Sequence, residues 1–303
     1  MDFMKNPAEN LEQIRRSVID GEFRTSRYRR KIILEPKRRE IFILPFSPDR
    51  IVHHAVMNVL IPIFDPMLIR DTHACRPGYG LHSASARVME FVRRNEYILQ
   101  CDVKKFYPSI NHAKLYGIIS RKVADKKLLA IIRDIIYSIG GEKNMPIGNF
   151  CSQWFGNIYL SELDHFIKRE LHCRDYLRYC DDFCLFSKDK RQLREWLGRI
   201  RDFLRDELLL ELSYCEIFPV ASGLDFLGYR HFPEFILLRK RTARRLRRRL
   251  RNGPSMEQVA SAWGWTKHAN THAFLNAVGF FKLRKRLWGI HRDRQKRLRD
   301  SNK

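Results

Sequence analysis

The sequence has no run of 18 apolar residues, so nothing in it is long enough to span a bilayer as a helix. Its opening, Met1-Asp2-Phe3-Met4-Lys5-Asn6-Pro7, lacks the apolar core of a signal peptide. The seven cysteines, at 75, 101, 151, 173, 180, 184 and 215, are odd in number and include no CxxC pair. That argues against a secreted disulfide framework and for a reducing compartment. A structural zinc site needs clustered ligands. His268 and His272 have the i, i+4 spacing of one helix face, but no cysteine or carboxylate pair lies near them in sequence, and they read as helix-surface histidines. Acidic residues are also scarce: 34 Asp+Glu stand against 58 Lys+Arg, a net charge of +24. Together these absences predict a cytoplasmic protein with no membrane partner.

What is present is a chain able to bury a core. Of its 303 residues 44% are hydrophobic, with 20 Phe and 5 Trp, which excludes a wholly disordered basic tail. A folded body at +24 needs an anionic counterpart, and a phosphate backbone fits better than a membrane surface. The charge is unevenly spread. Residues 233–303 carry 20 Lys+Arg and four Asp+Glu, so +16 of the +24 lies there. The densest run, Arg239 to Arg251, places Leu246 and Leu250 four apart, as in a helix with one apolar stripe and a basic remainder. A second helix is expected from Phe274 to about Arg299. This segment reads as a small helical domain that grips a phosphate backbone.

The rest predicts a mixed α+β order. Residues 1–35 read as helical and basic. Ile41–Leu44 is a short strand ended by Pro45. Asp49 is placed to cap a helix that Pro62 would stop. Residues 71–80 form a loop, 82–94 a helix, and Tyr97–Val103 a strand that ends in a carboxylate. Helical patterns fill 112–140, and a long helix runs from about Cys151 to Leu171. Asp175–Asp181 and Phe183–Ser187 are a strand and its return, followed by a helix over 191–208. Leu210–Ser213 and Asp225–Phe232 are further short strands.

Two places put aspartate at the end of an apolar strand: Asp102 in Leu99-Gln100-Cys101-Asp102-Val103, and Asp181-Asp182 in Arg178-Tyr179-Cys180-Asp181-Asp182-Phe183. Adjacent aspartates between apolar runs are costly unless exposed at a turn or neutralised. They suit either a tight turn or a site for two Mg²⁺ ions, with Mn²⁺ as the alternative ion, of the kind that supports in-line phosphoryl transfer.

Here the sequence resembles a family. Tyr179-Cys180-Asp181-Asp182 matches the YxDD signature of reverse transcriptases, and further matches follow in the family's order over about residues 35–232. Lys37-Arg38-Arg39-Glu40-Ile41 and Asp49-Arg50-Ile51-Val52 resemble fingers motifs. Ala74-Cys75-Arg76-Pro77-Gly78-Tyr79-Gly80 is similar to the loop of group II intron-like enzymes. Asp102–Ile110 resembles the first catalytic palm motif, and Gly223–Tyr229 the primer grip. Within the family, Gly148-Asn149-Phe150-Cys151-Ser152-Gln153, with Ile147 where a glutamine is usual, resembles reverse transcriptases of diversity-generating retroelements.

The resemblance implies a right-hand polymerase: residues 1–95 an N-terminal segment and fingers, 96–111 the first catalytic strand of the palm, 112–145 fingers and palm helices, 146–232 the remaining palm with its antiparallel sheet, and 233–303 a basic helical thumb. It implies an RNA-directed DNA polymerase, bacterial or phage-encoded, that copies a template-repeat RNA into cDNA and misincorporates opposite template adenines. Template RNA, the RNA–DNA duplex, dNTPs and a small basic accessory protein, single or oligomeric, are the implied partners. A group II intron-like or defence-associated reverse transcriptase, or an idle RNA-binding protein on the same scaffold, are the alternatives. Asp102, Asp181 and Asp182 are the implied catalytic metal ligands, joined by Val103. Lys37, Arg38, Arg39, Val103, Tyr107, Ile147, Gly148 and Gln153 are the implied nucleotide contacts. Tyr107 would act as an aromatic gate against a ribose 2′-OH, Gly148 would let backbone approach the templating pair, and Ile147 would weaken discrimination. The stretch Leu210–Ile217 has no lysine, which leaves the general acid for pyrophosphate unassigned. About 70 residues of basic helix leave no room for an appended nuclease, so integration of a product would need other factors.

Overall fold

The computed structural model describes residues 3–34 and 38–289. The chain forms two compact units, one from Met1–Gly80 with Leu99–Ile217, the other from Leu81–Ile98 with the chain from Phe218 onward.

The first unit opens with α1 (Pro7–Ile19), which has proline in its first turn where no N–H is required. The expected helix over 1–35 ends there. Beyond it, β1 (Arg29–Ile33) pairs antiparallel with β2 (Arg39–Ile43), Arg29 opposite Ile43 and Ile33 opposite Arg39. Ile32, Ile33, Ile41 and Ile43 are β-branched, and cross-strand pairing outweighs the helical spacing seen upstream. In α2 (Ile51–Phe64) the residues Val52, Val56, Leu60 and Phe64 are buried at four-residue intervals. Asp49 does not cap it. The cap position falls on Arg50, and Asp49 is fully buried with Oδ1 accepting the Ser26 N–H at 2.8 Å. Nor does Pro62 stop the helix: it lies in the last turn on the exposed side, where water can satisfy the carbonyl its ring leaves unbonded.

α3 (Leu81–Arg94) belongs to the second unit. β3 (Tyr97–Val103) and α4 (Phe106–Ser109) follow, then α5 (His112–Ser120), α6 (Lys126–Tyr137) and α7 (Phe150–Arg169). Asn111 and Asp125 cap α5 and α6 by accepting the N–H groups of Lys114 and Leu128 at 3.0 and 2.8 Å. β4 (Tyr176–Tyr179) and β5 (Asp182–Ser187) form an antiparallel hairpin. α8 (Lys190–Leu208) buries Leu193, Trp196, Ile200, Leu204 and Leu208, a single 3–4 spaced stripe. β6 (Leu212–Pro219) starts later and runs further than the strand expected at 210–213. The four strands form one sheet in the order β4-β5-β3-β6, which brings two strands adjacent in space, β5 and β3, from opposite sides of the four helices between them in sequence.

In the second unit, β7 (Leu224–Phe226), β8 (Tyr229–His231) and β9 (Ile236–Leu238) form an antiparallel sheet. α9 (Lys240–Arg251) buries Thr242, Leu246 and Leu250, as its leucine spacing predicted, and leaves its basic residues outside that stripe. α10 (Met256–Thr266) was not foreseen, although Ser255 and Gln258 form a reciprocal capping box at its start. The long helix expected from Phe274 is broken: α11 (His272–Ala277) ends before Gly279, whose φ of +64° a helix cannot use, and residues 280–289 are helical again. The remainder of that expectation, to Arg299, lies outside the described residues. Tyr229, Leu238, Leu246, Leu250, Val259, Ala262, Leu275 and Phe280 make the core of this unit. His268 and His272 do not share a helix face. His268 lies in a turn, stacked on His82 at 3.7 Å, while His272 starts α11. Among the described residues no helix is long and apolar enough to cross a membrane.

Candidate active site

The β4–β5 hairpin closes on a two-residue turn. Tyr179 pairs with Asp182, so Cys180 and Asp181 form the turn itself, with Cys180 left-handed at φ +56°. The Val103 N–H points to the Asp181 carbonyl at 3.4 Å, which sets the end of β3 against this turn. Asp102 and Asp181 therefore project from touching stretches of backbone although 79 positions separate them in sequence. Both are half-buried and Asp182 is exposed. The Asp102 carboxylate accepts a hydrogen bond from the Ser213 hydroxyl of β6, which also reaches the Asp102 carbonyl at 3.2 Å. Among the described residues no three His, Cys, Asp or Glu side chains gather closely enough to enclose a metal ion. The donors themselves are all carboxylate and backbone oxygen, the chemistry a hard divalent cation takes. Asp182 opens β5, whereas Asp181 lies in the turn that the Val103 N–H reaches, so Asp102 and Asp181 are the natural pair.

Beneath the turn lies a buried polar bracket. Arg178 has no exposed surface, and its Nε and Nη2 reach the two oxygens of Asp164 on α7 at 2.8 and 2.6 Å. Its Nη1 donates to the Cys180 carbonyl at 2.9 Å and to Asn157 Oδ1 at 3.0 Å. Asn157 in turn donates to the Ala74 carbonyl at 2.8 Å. Tyr176 and Thr72 donate to the same Asp164 at 2.6 and 2.8 Å. Thr72 forms a parallel bridge with Arg178, and the His73 N–H bonds the Arg178 carbonyl at 3.1 Å. The loop 71–76 is thus stitched to the strand that ends in the turn. There the neighbouring Cys180 thiol lowers the Cys75 thiol to about 7, while Cys75 and burial raise Cys180. None of Arg178, Asp164, Asn157, Thr72 or Ser213 was singled out from sequence. The one signal was a charged residue, Arg178, inside an apolar strand.

Tyr107 lies half-buried in α4, and burial pushes its phenol up. Its carbonyl accepts the Met145 N–H at 2.8 Å, which ties α4 to the loop before α7. A Cβ added at Gly156 of α7 would sit 3.1 Å from the Phe106 ring and 3.4 Å from the Tyr107 ring, so the glycine makes room for both aromatics. The same loop meets β2: the Phe42 N–H bonds the Ile147 carbonyl at 2.9 Å. Gly148 has φ +120°, and a Cβ there would stand 2.8 Å from the Phe42 carbonyl. The close approach that Gly148 permits in this structure is to β2. Ile147 is half-buried and Gly148 exposed. Gln153 is exposed within the otherwise buried first turns of α7. Arg38 and Arg39 are exposed at the start of β2, and Lys37 lies outside the described residues.

Two further motifs take definite form. The primer-grip match folds as β7, a two-residue turn with both Leu227 and Gly228 at positive φ, and β8. Near β6, the missing lysine has a neighbour: Lys104, two residues after Asp102, bonds Glu211 at 2.7 Å.

Comparison with known proteins agrees with this geometry. Residues 37–231 match the family model described as reverse transcriptase (RNA-dependent DNA polymerase). The group II intron-encoded protein LtrA of Lactococcus lactis subsp. cremoris is 23% identical over 73% of this chain and 49% of its own length. Nuclear intron maturase 4, mitochondrial, of Arabidopsis thaliana is 24% identical over 72% of this chain and 30% of its own. Among solved structures, telomerase from Candida albicans, in complex with a fragment of telomeric RNA, superposes with a TM-score of 0.56 at 13% identity, covering 87% of this chain and 55% of the other. The chain spans about half the length of the first of these relatives, LtrA. The likeness to telomerase is one of fold, the α+β right-hand polymerase. A family model that covers nearly two thirds of the sequence, from just before β2 to the end of β8, places this chain in the reverse transcriptase family.

Proposed function

We propose that the protein is an RNA-directed DNA polymerase of the cytoplasm that extends a primer on an RNA template, and that it serves a diversity-generating retroelement. The observation that supports the polymerase is the apposition of Asp102 and Asp181 through the Val103–Asp181 backbone contact. Asp102, Asp181 and the Val103 backbone would hold divalent cations, Mg²⁺ first, with Asp182 alongside. Such ions would lower the barrier to in-line attack of a primer 3′-hydroxyl on a nucleoside triphosphate.

This chain's own residues do the rest. Ser213 holds the Asp102 carboxylate in one orientation by donating to it. Arg178 fixes the turn that carries Asp181 by donating to the Cys180 carbonyl. Tyr107 offers a ring edge under the incoming sugar. Arg38 and Arg39, and Lys37 before them, supply positive charge for the triphosphate. The basic face of α9 would hold phosphates of the RNA–DNA duplex without reading sequence.

The finer reading rests on Ile147 and on Ser152-Gln153. Ile147 offers no side-chain hydrogen bond, and a polar site that loses its partner discriminates less between cognate and non-cognate bases. Misincorporation opposite template adenine, and a small basic accessory protein, belong to this reading.

The test is primer extension on an RNA template with dNTPs and Mg²⁺, using the full chain with its cognate RNA and accessory partner. Extension that Asp181→Asn abolishes supports the polymerase. No cDNA, or activity untouched by Asp181→Asn, defeats it. Equal error rates opposite all four template bases would defeat the diversity-generating reading alone. The similarity to LtrA favours a second reading, an intron-associated reverse transcriptase. An intron RNA beside the gene, in place of a template/variable repeat pair, would establish it.

A further inference from the structure

We propose that the helical stretch 280–289 carries a stacking platform for unpaired nucleotides of single-stranded RNA, built from the rings of Phe281 and Trp288 and the cations Arg284 and Lys285.

Three observations carry this. The first is placement. Residues 281, 284, 285 and 288 recur at i, i+3, i+4 and i+7, which puts them on one face of a helix. Phe280 is fully buried in the core of the second unit, and Leu283 and Leu287 pack against that core, so the other side of the stretch does the packing. The second is exposure. Phe281 and Trp288 keep 42% and 49% of their surface in water, although Phe280 and the two leucines already serve the core. The third is charge. Residues 280–289 hold Lys282, Arg284, Lys285 and Arg286 and no acidic residue. Rings interleaved with cations suit a strand whose bases stack and whose phosphates are anionic.

The rings are held in place. The Arg284 guanidinium faces two indoles, 5.0 Å from the centre of Trp263 and 5.3 Å from that of Trp288. Trp263 in turn stacks on the buried Phe280 at 5.9 Å. Trp288 is thus tied through Arg284 to the core. Phe281 is braced by Phe280 and His272, with ring centres 5.8 and 5.9 Å apart. Rings already ordered lose little freedom when a base settles on them. The helix rise sets residues 281 and 288 about 10 Å apart, so two bases of one strand can stack with the phosphates between them over Arg284 and Lys285.

α9, in the same unit, differs. Its exposed side carries positive charge and no ring, which suits a phosphate backbone whether paired or not. The platform needs open base faces, and a duplex keeps those stacked on one another. An RNA template ahead of copying is such a strand. Calling the strand the template rests on the polymerase reading; the platform itself does not.

The full chain is titrated by fluorescence anisotropy against labelled oligo(A) RNA of about 12 nucleotides, within the usual site size for such surfaces, and against a blunt RNA–DNA hybrid of equal length. Trp288→Ala should weaken single-strand binding about tenfold, the effect of one lost base stack, and leave hybrid binding within about twofold. The salt slope should stay as in the wild type, since no charge is removed. Trp288→Phe should keep the affinity, because it keeps a ring, yet lose the share of tryptophan quenching that stacking on Trp288 causes. Equal losses for strand and hybrid would overturn the proposal. So would single-strand binding untouched by both Trp288→Ala and Phe281→Ala. Dependence on Trp288 with oligo(dA) and not with oligo(A) would give the site to DNA and overturn it likewise. Binding needs no nucleotide addition: a chain that makes no cDNA yet loses oligo(A) on Trp288→Ala keeps the platform and gives up only the polymerase reading.

Discussion

Arg178 and Asp164 meet as a two-bond pair, guanidinium against carboxylate at 2.6 and 2.8 Å, and neither side chain has any exposed surface. Removing one partner leaves a buried charge without compensation, which costs roughly 3–5 kcal/mol. Arg178→Met should therefore unfold the protein at markedly lower denaturant than wild type. Joining it to Asp164→Asn should recover part of the loss, because the stranded charge is gone. Denaturant titration of the two singles and the double decides this. A double variant no better than Arg178→Met would show that the pair is not the seat of the cost.

Gly148 offers a backbone test. Alanine there must adopt φ +120° and place its Cβ 2.8 Å from the Phe42 carbonyl. Strain of that kind costs about 1–3 kcal/mol. The β1–β2 hairpin should loosen, seen as faster amide exchange at Phe42, whose N–H bonds Ile147. Unchanged exchange at that amide would refute the coupling.

For Tyr107 the expected readout is sugar selection. Tyr107→Ala should raise ribonucleotide incorporation relative to deoxynucleotide by about tenfold or more, the size of effect that one steric contact gives. Gly156→Val should move the same ratio without touching the nucleotide, because its side chain presses on the Phe106 and Tyr107 rings. A ratio unmoved by Tyr107→Ala would remove the gate.

His231 gives the pH dependence. Burial lowers its pKa to about 4, only partly opposed by its bond to the Leu224 carbonyl and by Asp225. Its Nε2 faces the Ser85 hydroxyl at 2.8 Å. A ring kept neutral when folded binds its proton more readily when unfolded, near the ordinary 6.5. The stability it allows is complete above that value and is lost as pH falls from about 6.5 toward about 4. The full span is worth about 3 kcal/mol. Denaturation of the second unit, followed by tryptophan fluorescence at pH 7 and pH 5, should show the drop, and His231→Gln should shrink it.

These sites differ in how far sequence alone reveals them. The strand β3 that carries Asp102 and the hairpin that carries Asp181-Asp182 are legible because each is a short apolar run beside an aspartate, a pattern contained within six or seven residues. The stripe of Leu246 and Leu250 is legible for the same local reason. Asp164, by contrast, reads as one polar residue on a long helix, and Thr72 stands 92 positions from it. Only folding brings them together. Asp49 misleads in the opposite direction. Its place before an apolar helix predicts a cap, yet its carboxylate serves a backbone N–H 23 residues earlier. The hairpin at 29–43 was masked by helical spacing upstream, and pairing between its two strands decided the outcome. Lys37, named as a nucleotide contact, lies outside the described residues.

α9 devotes Thr242, Leu246 and Leu250 to packing, with Ala243 partly buried beside them, and eight of its twelve residues to positive charge. Positive charge and fit within the fold are thus written on separate letters of one helix. Each arginine exchanged for a neutral residue should shift the salt dependence of nucleic-acid binding by about one unit of log–log slope and leave melting nearly as it was. Selection can then retune the charge this helix offers a polyanion, one residue at a time, without rebuilding anything underneath.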